Sequence, residues 1–393
     1  MKTNLLSQPL KQLTLLLALP FILLGCSSTT VKTTQYIPLE NGATSAEHLL
    51  LDVGIVVFDP GITELKDDDL TFAEIRQAES RYFPQQINSA MQRSGNWGAV
   101  RVIPSKAINV DVIVTGKILQ SDGETLKLSI SARDATEQTW FTKTYEHQAS
   151  RYAYRLEIHR KIDPFQNLYN EIANDLLQYQ QNMSERRLAH LRAITNMRFA
   201  KSFSPEAFDQ YLMKNRQGQW KVSRLPADSD PLLMRVQQIR QRDYLYIDTL
   251  QDYYTRFTDD MNKPYTQWRK ETYSEAVELR KLRTQARNRT IAGVAAVLGG
   301  VLAQGSSNAA VRSAGQVGIV GGGYALKSGF EKSAEAKLHA AALLELGESL
   351  SAEIDPKVIE LDDRTITLSG TVEQQYDQWR EILKEMYLKE SQY

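Results

Sequence analysis

Residues Leu49 to Phe58 read LLLDVGIVVF, a nearly continuous apolar run rich in β-branched side chains. A run of that kind belongs to a strand buried inside a sheet, and a buried strand needs other elements to cover it. The residues that follow supply them. Asp59-Pro60-Gly61 breaks the run, as turn residues do. Thr71 to Gln92 has helical spacing, with Ile75, Tyr82, Phe83, Ile87 and Met91 as its apolar positions and Gly95 at its end. Pro84 either kinks this helix or begins a second one. Ala99 to Ile103, Val110 to Leu119, Thr125 to Ala132 and Gln138 to Tyr145 read as further strands. In the third of these, Leu126, Leu128 and Ile130 alternate as in a half-buried strand. Ser121-Asp122-Gly123 is a hairpin signal. Asp163-Pro164 opens a helix with Phe165, Leu168, Ile172 and Leu176 on one face. Residues 48–183 are therefore expected to form an α/β domain.

A strand ending in Val56-Val57-Phe58, then a helix, then Val100-Arg101-Val102-Ile103 and Asp111-Val112-Ile113-Val114-Thr115-Gly116-Lys117-Ile118, is an order that resembles the N-terminal domain of the TolB family. It is also similar to the curli secretion lipoprotein CsgG and to the lipoprotein activators of penicillin-binding proteins. The resemblance covers about a third of the chain, and a small α/β domain of no particular family fits the same residues. It implies a periplasmic docking module with no catalytic residues to carry over.

Residues 184–290 are charged, aromatic and helical. Ser204-Pro205-Glu206 and Asp230-Pro231 both read as helix starts. Leu232, Leu233, Val236, Ile239, Leu245, Ile247, Leu250, Tyr254, Phe257 and Met261 follow at helical spacing. Lys263-Pro264 is expected to break this helix, and Tyr265 to Arg287 to make another, the set packing as a hairpin or small bundle. Residues 291–330 are a glycine-rich small-residue hairpin. Ala292, Ala296 and Gly300, then Ala314, Gly318 and Gly322, recur every fourth position and line a helical face that lets backbones approach. Each half is shorter than the roughly 20 residues of a bilayer span, and Arg312 lies between them. Packing within the chain, self-association and dipping into a membrane all remain open. Gly318 to Gly323 lacks the strand and the motif context of a nucleotide loop. Residues 331–393 are expected to form a helix, a β-hairpin around Asp362-Asp363-Arg364 and a final helix with Tyr376, Trp379, Leu383 and Tyr387 on one face. The expected fold class is α+β: an N-terminal α/β sandwich-type domain, a central helical region, the glycine-rich hairpin, and a C-terminal β-hairpin plus helix.

Residues 1–25 read as an export signal, with Lys2 and Lys11 before an apolar stretch from Leu13 to Leu24. Leu23-Leu24-Gly25-Cys26 resembles the lipobox of bacterial lipoproteins, which implies cleavage before Cys26 and lipid on its sulfur; a plain signal peptide or a signal anchor is the simpler alternative. In lipoproteins an Asp after the cysteine retains the protein in the inner membrane, and here Ser27 follows, which favours the outer membrane. Several acyl chains make such an anchor stable. Residues 26–47 would be a flexible tether. Cys26 is the only cysteine, so once lipidated it leaves no disulfide, and the fold must stand on its apolar core.

The 47 basic residues, less Lys2 and Lys11, leave 45 in the mature chain against 47 acidic ones. This balance gives no global electrostatic reason to bind nucleic acid or an anionic lipid surface. His48, His147, His159, His190 and His339 form no metal-ligand spacing. No nucleophile motif is present, and Asp67-Asp68-Asp69 lacks the pattern of a calcium loop. The expectation is a non-enzymatic lipoprotein without cofactor or metal, held to a membrane by its N-terminal lipid. It would dock a periplasmic or outer-membrane protein, or its own copies, and not nucleic acid. The alternative is an oligomeric outer-membrane pore or secretion component that inserts the glycine-rich hairpin.

Overall fold

The fold is that of a computed structural model, which describes residues 36–40, 42, 46–65, 72–150, 152–154, 162–227, 229–302, 357–360 and 365–390. The class is α+β, as expected. A mixed five-stranded sheet has the order β2-β1-β3-β4-β5, formed by β1 (Val53–Val56), β2 (Val100–Ile103), β3 (Val112–Ser121), β4 (Thr125–Asp134) and β5 (Thr139–Gln148). β1 lies parallel to both β2 and β3. β3, β4 and β5 form an antiparallel meander. The helices are α1 (Ala73–Ser94), α2 (Gln166–Gln181), α3 (Glu185–Phe203), the single turn α4 (Pro205–Phe208), α5 (Pro231–Leu302) and α6 (Val372–Glu390). Two small hairpins complete the fold: β6 (Leu212–Lys214) with β7 (Trp220–Val222), and β8 (Lys357–Glu360) with β9 (Thr365–Leu368).

Strand alternation divides the core between the two sheet faces. Val53, Ile55, Val112 and Val114 face α1 and α2, whose Tyr82, Phe83, Ile87, Leu168, Ile172 and Leu176 are all inaccessible to solvent. Val56, Val102, Ile103 and Ile113 belong to a second cluster with α3, α5 and α6. Tyr376, Trp379, Leu383 and Tyr387 of α6 are buried in that cluster, on the single face that their spacing predicts. α1 runs unbroken through Pro84. A proline has no N–H to give the carbonyl four residues back, and that carbonyl, on Ser80, instead accepts the Phe58 N–H at 2.9 Å. The missing helix bond is converted into a tie to the chain leaving β1.

The largest departure from expectation is α5. It runs 72 residues through Pro264 without a break, about 108 Å at the α-helical rise. The turn after the proline explains why: Tyr265, Trp268 and Arg269 are fully buried there, so ending the helix would withdraw them from the core. α5 also joins both clusters. Val236 to Tyr254 pack in the second and Phe257 to Trp268 in the first, so the helix passes the β2 edge of the sheet. At that passage the Gln251 carboxamide accepts the Val102 N–H at 2.9 Å and donates to the Val102 carbonyl at 2.8 Å. A side-chain amide thus takes the place of a neighbouring strand, and Arg101 pairs with Asp248 beside it. α3 and α5 touch, as a helical hairpin would, but both also close over the sheet.

A buried ion pair fixes α5 to the sheet layer. Arg269 donates to Asp163 Oδ2 at 2.8 Å, and its guanidinium stacks 4.1 Å from the Tyr265 ring and 5.5 Å from the Phe165 ring. Tyr82 donates to the same carboxylate oxygen at 3.0 Å, and Asp163 Oδ1 accepts the Phe165 N–H at the start of α2. Next to it, Glu79 accepts bonds of 2.6 Å from both the Tyr265 and the Ser121 hydroxyls. Burial raises the Glu79 carboxyl above its usual range, against the opposing field of Arg76. Gly123, in the β3–β4 turn, belongs to this junction: a Cβ there would lie 2.3 Å from the Arg269 carbonyl oxygen.

Two outcomes follow from this packing. Arg269→Met leaves Asp163 buried without its cation and should cost roughly 3–5 kcal/mol, seen as a lower urea midpoint; adding Asp163→Asn should restore part of the loss. Asp243, on the α5 face toward α6, lies 3.8 Å from Arg380, and burial pushes its carboxyl up to about 6. The folded state therefore holds the proton more tightly than the unfolded chain. That contribution, roughly 3 kcal/mol, is full below about pH 4 and is lost as pH rises through about 6. Asp243→Asn should gain stability over the native chain as the pH is raised across this window, measured by denaturation at each pH; a constant difference between the two proteins would exclude the effect.

Candidate functional site

Two strands open on the same dipeptide, Asp52-Val53 at β1 and Asp111-Val112 at β3. The two carboxylates sit side by side at the N-terminal end of the parallel part of the sheet. Asp111 Oδ2 accepts the Asp52 N–H at 2.9 Å, and Asp52 Oδ1 accepts the Ala99 N–H, just before β2, at 2.9 Å. The Asp52 carbonyl in turn accepts the N–H groups of Asp111 and Val112, each at 3.1 Å. Asp52 therefore ties β1 to both parallel neighbours. Asp111 is buried; burial raises its carboxyl above the usual range, partly offset by hydrogen bonds from Thr195 and the Asp52 backbone.

Above these carboxylates lies an open groove made of three adjoining recesses of about 760, 240 and 270 Å³. Arg192 of α3 lines all three. Glu47, His48, Leu50 and Trp97 form one end, Asn196 of α3 and Gln237, Arg240 and Tyr244 of α5 form the middle, and Leu225, Pro226 and Leu233 form the other end. Arg192 donates to the Leu50 carbonyl. Arg240 donates to Asn196 Oδ1, to the Tyr244 hydroxyl at 3.0 Å through Nε, and to the Asn109 carbonyl at 3.4 Å. Among the described residues no carboxylate lies within ion-pair distance of either guanidinium. Both are positioned by neutral acceptors: Arg240 makes four such contacts, two of them to the Tyr244 hydroxyl, whereas Arg192 makes one and keeps most of its five donors for an outside anion. The groove offers two cations, the carboxylates of Asp52 and Asp111 on its floor, that of Glu47 at one end, and an apolar stretch at the other end. His48 and Tyr244 are its other titratable side chains.

The sequence alone assigned none of these residues to a site, although it showed His48, Asp111 and Leu233 in other settings and the repeated Asp-Val at two strand starts. Of the residues it did name, Ala292, Ala296 and Gly300 lie on the last turns of α5, which places the start of the expected hairpin on a continuing helix. Cys26, Ala314, Gly318 and Gly322 lie outside the described residues, as does the turn Asp362-Asp363-Arg364. Among the described residues no group of three His, Cys, Asp or Glu gathers as metal ligands would, and no described helix is long and apolar enough to cross a membrane. In comparisons with known proteins, no family model, no curated protein and no solved structure matches the chain.

The groove floor is tightly built at Gly98. A Cβ there would lie 2.4 Å from Asp52 Oδ1 and 3.3 Å from the Leu50 and Leu51 carbonyl oxygens. Gly98→Ala should therefore push the Asp52 carboxylate from Ala99 and cost roughly 1–3 kcal/mol, read as a lowered thermal midpoint. An unchanged midpoint would show that the carboxylate is free to move.

Proposed function

We propose that this chain is a lipid-anchored lipoprotein of the bacterial envelope, held at the outer membrane by Cys26, and that its body is a non-enzymatic docking scaffold. The observation that carries the docking role is the groove: Arg192, held through a single donor by the Leu50 carbonyl in an open recess beside Arg240, offers its other donors to the carboxylates of a protein partner. The address comes from Leu23-Leu24-Gly25-Cys26 behind its apolar stretch. The likeness of the first α/β elements to periplasmic docking modules agrees with the same role. Self-association through the end of α5 is compatible with it. The helix continues 22 residues past Arg280, which pairs with Glu124 on the body, and those residues include Ala292, Ala296 and Gly300.

The test is made in cells. Cys26→Ala should abolish labelling by radioactive palmitate and release the chain from the membrane fraction. A photo-crosslinking side chain at the exposed Gln237, on the groove wall, should give a discrete adduct with an envelope protein, and Arg192→Glu should remove that adduct at unchanged protein level. Retained membrane association without label would refute the anchor. An adduct indifferent to the charge reversal would refute the groove as the docking site.

A further inference from the structure

The even balance of charge over the whole chain hides a local excess. Leu212 to Ala227, LMKNRQGQWKVSRLPA, holds four basic residues and no acidic one. This segment is the β6–β7 hairpin and its exit. Its tip is built by Asn215, whose Oδ1 accepts the N–H groups of Gln217 and Gln219, each at 2.9 Å, while Gly218 turns the chain at φ 78°. Register places Met213 opposite Lys221 and Lys214 opposite Trp220. Strand alternation puts the Leu212–Val222 and Lys214–Trp220 pairs on one face, which contains buried Leu212, and Met213 with Lys221 on the other. Lys214, Arg216, Lys221 and Arg224 are all exposed. Among the described residues none of the four has a carboxylate at ion-pair distance.

Of the neighbouring cations, Lys201 is paired with Asp209 and Arg187 with Asp134, so the unpaired excess is that of the hairpin itself. Lys201 and Lys214 lie 5.1 and 4.6 Å from the centre of the Trp220 ring. The imidazole of His190 is held below its usual range by burial and then by Arg187 and Lys221. Apolar side chains stand among these charges: Met213 is 53% and Leu225 60% exposed. Basic side chains interleaved with exposed apolar ones are what a surface lying against a phospholipid headgroup layer requires, with the cations at the phosphates and the apolar groups among the upper acyl segments.

We propose that the β6–β7 hairpin is a second membrane contact, which lays the body against an anionic phospholipid surface. Only the choice of a membrane as the occupant leans on the lipoprotein assignment; the charge excess stands without it. Each basic residue near an anionic surface changes partitioning by about fivefold, and at physiological ionic strength the field reaches about 8 Å, so the contact acts only once a tether has brought the body close.

The full chain is expressed with Cys26→Ser, so that no lipid is attached, and sedimented with vesicles of equal parts phosphatidylglycerol and phosphatidylcholine or of phosphatidylcholine alone. It should bind the anionic vesicles and bind the neutral ones far less. The variant K214Q/R216Q/K221Q should lose about a hundredfold in partitioning onto the anionic vesicles, from about fivefold per charge, with its circular dichroism unchanged. Met213→Asp should also weaken binding. Residues 1 to 25 are the same in every protein, so the difference reads the hairpin alone. Equal binding to both vesicle types, or an unaffected triple variant, would overturn the proposal. Competition by millimolar inorganic phosphate would point to a small-anion site, and binding to heparin without binding to vesicles would point to another polyanion; either would overturn it too. Failure here leaves palmitate labelling of Cys26 untouched, so the two assignments fail separately.

Discussion

The Arg269–Asp163 ion pair holds together parts of the chain that would otherwise have no reason to meet. Asp163 stands at the entry to α2, Arg269 more than a hundred residues later on α5, and Tyr82 of α1 closes on the same carboxylate. Burying one charge alone would be prohibitive, and burying two is tolerable only with close geometry and further hydrogen bonds. The Tyr82 hydroxyl, the Phe165 N–H and the stacked Tyr265 ring supply these. The arrangement favours one register of α5 against the sheet layer over all others, since sliding the helix by a turn would strand both charges in the core.

That register places Gln251 at the β2 edge and Gln237 and Arg240 over the N-terminal strand ends. An open sheet edge is a template for unwanted pairing, and a carboxamide that answers both backbone groups of Val102 removes the template at that residue. The same helix therefore protects the sheet, supplies one wall of the groove and covers both core clusters. Few of its turns are free to change for one purpose without disturbing another.

The sequence was most legible where one physical rule dominates. The β1 run, the alternation of Leu126, Leu128 and Ile130 and the apolar face of α6 match the structure because burial decides each of them, and the Gly95 end of α1 because the chain turns there at φ 66°, which glycine adopts freely. Asp230 caps α5 as expected, accepting the Leu232 N–H at 2.9 Å. Pro264 misled for a specific reason: a proline's local cost is readable in sequence, but the burial of Tyr265, Trp268 and Arg269 that outweighs it is not. The β6–β7 hairpin was missed because three polar-edged residues per strand carry no measurable period. The groove draws on residues from 47 to 244, and nothing in a linear pattern brings Arg192 to Asp52.

The long sequence separations of these ties govern the order in which the molecule can form. Glu79 meets Tyr265 across 186 residues, Gln251 meets Val102 across 149, and Arg242 meets Glu390 across 148. Contacts so distant form late, since the loop must be closed before they return any energy. A chain emerging from its N-terminus thus presents the sheet with a bare β2 edge and an unpaired Asp163 until Arg269 has appeared. During that interval the α/β half has no finished native state to settle into, and the last third of the polypeptide decides when the first third becomes folded.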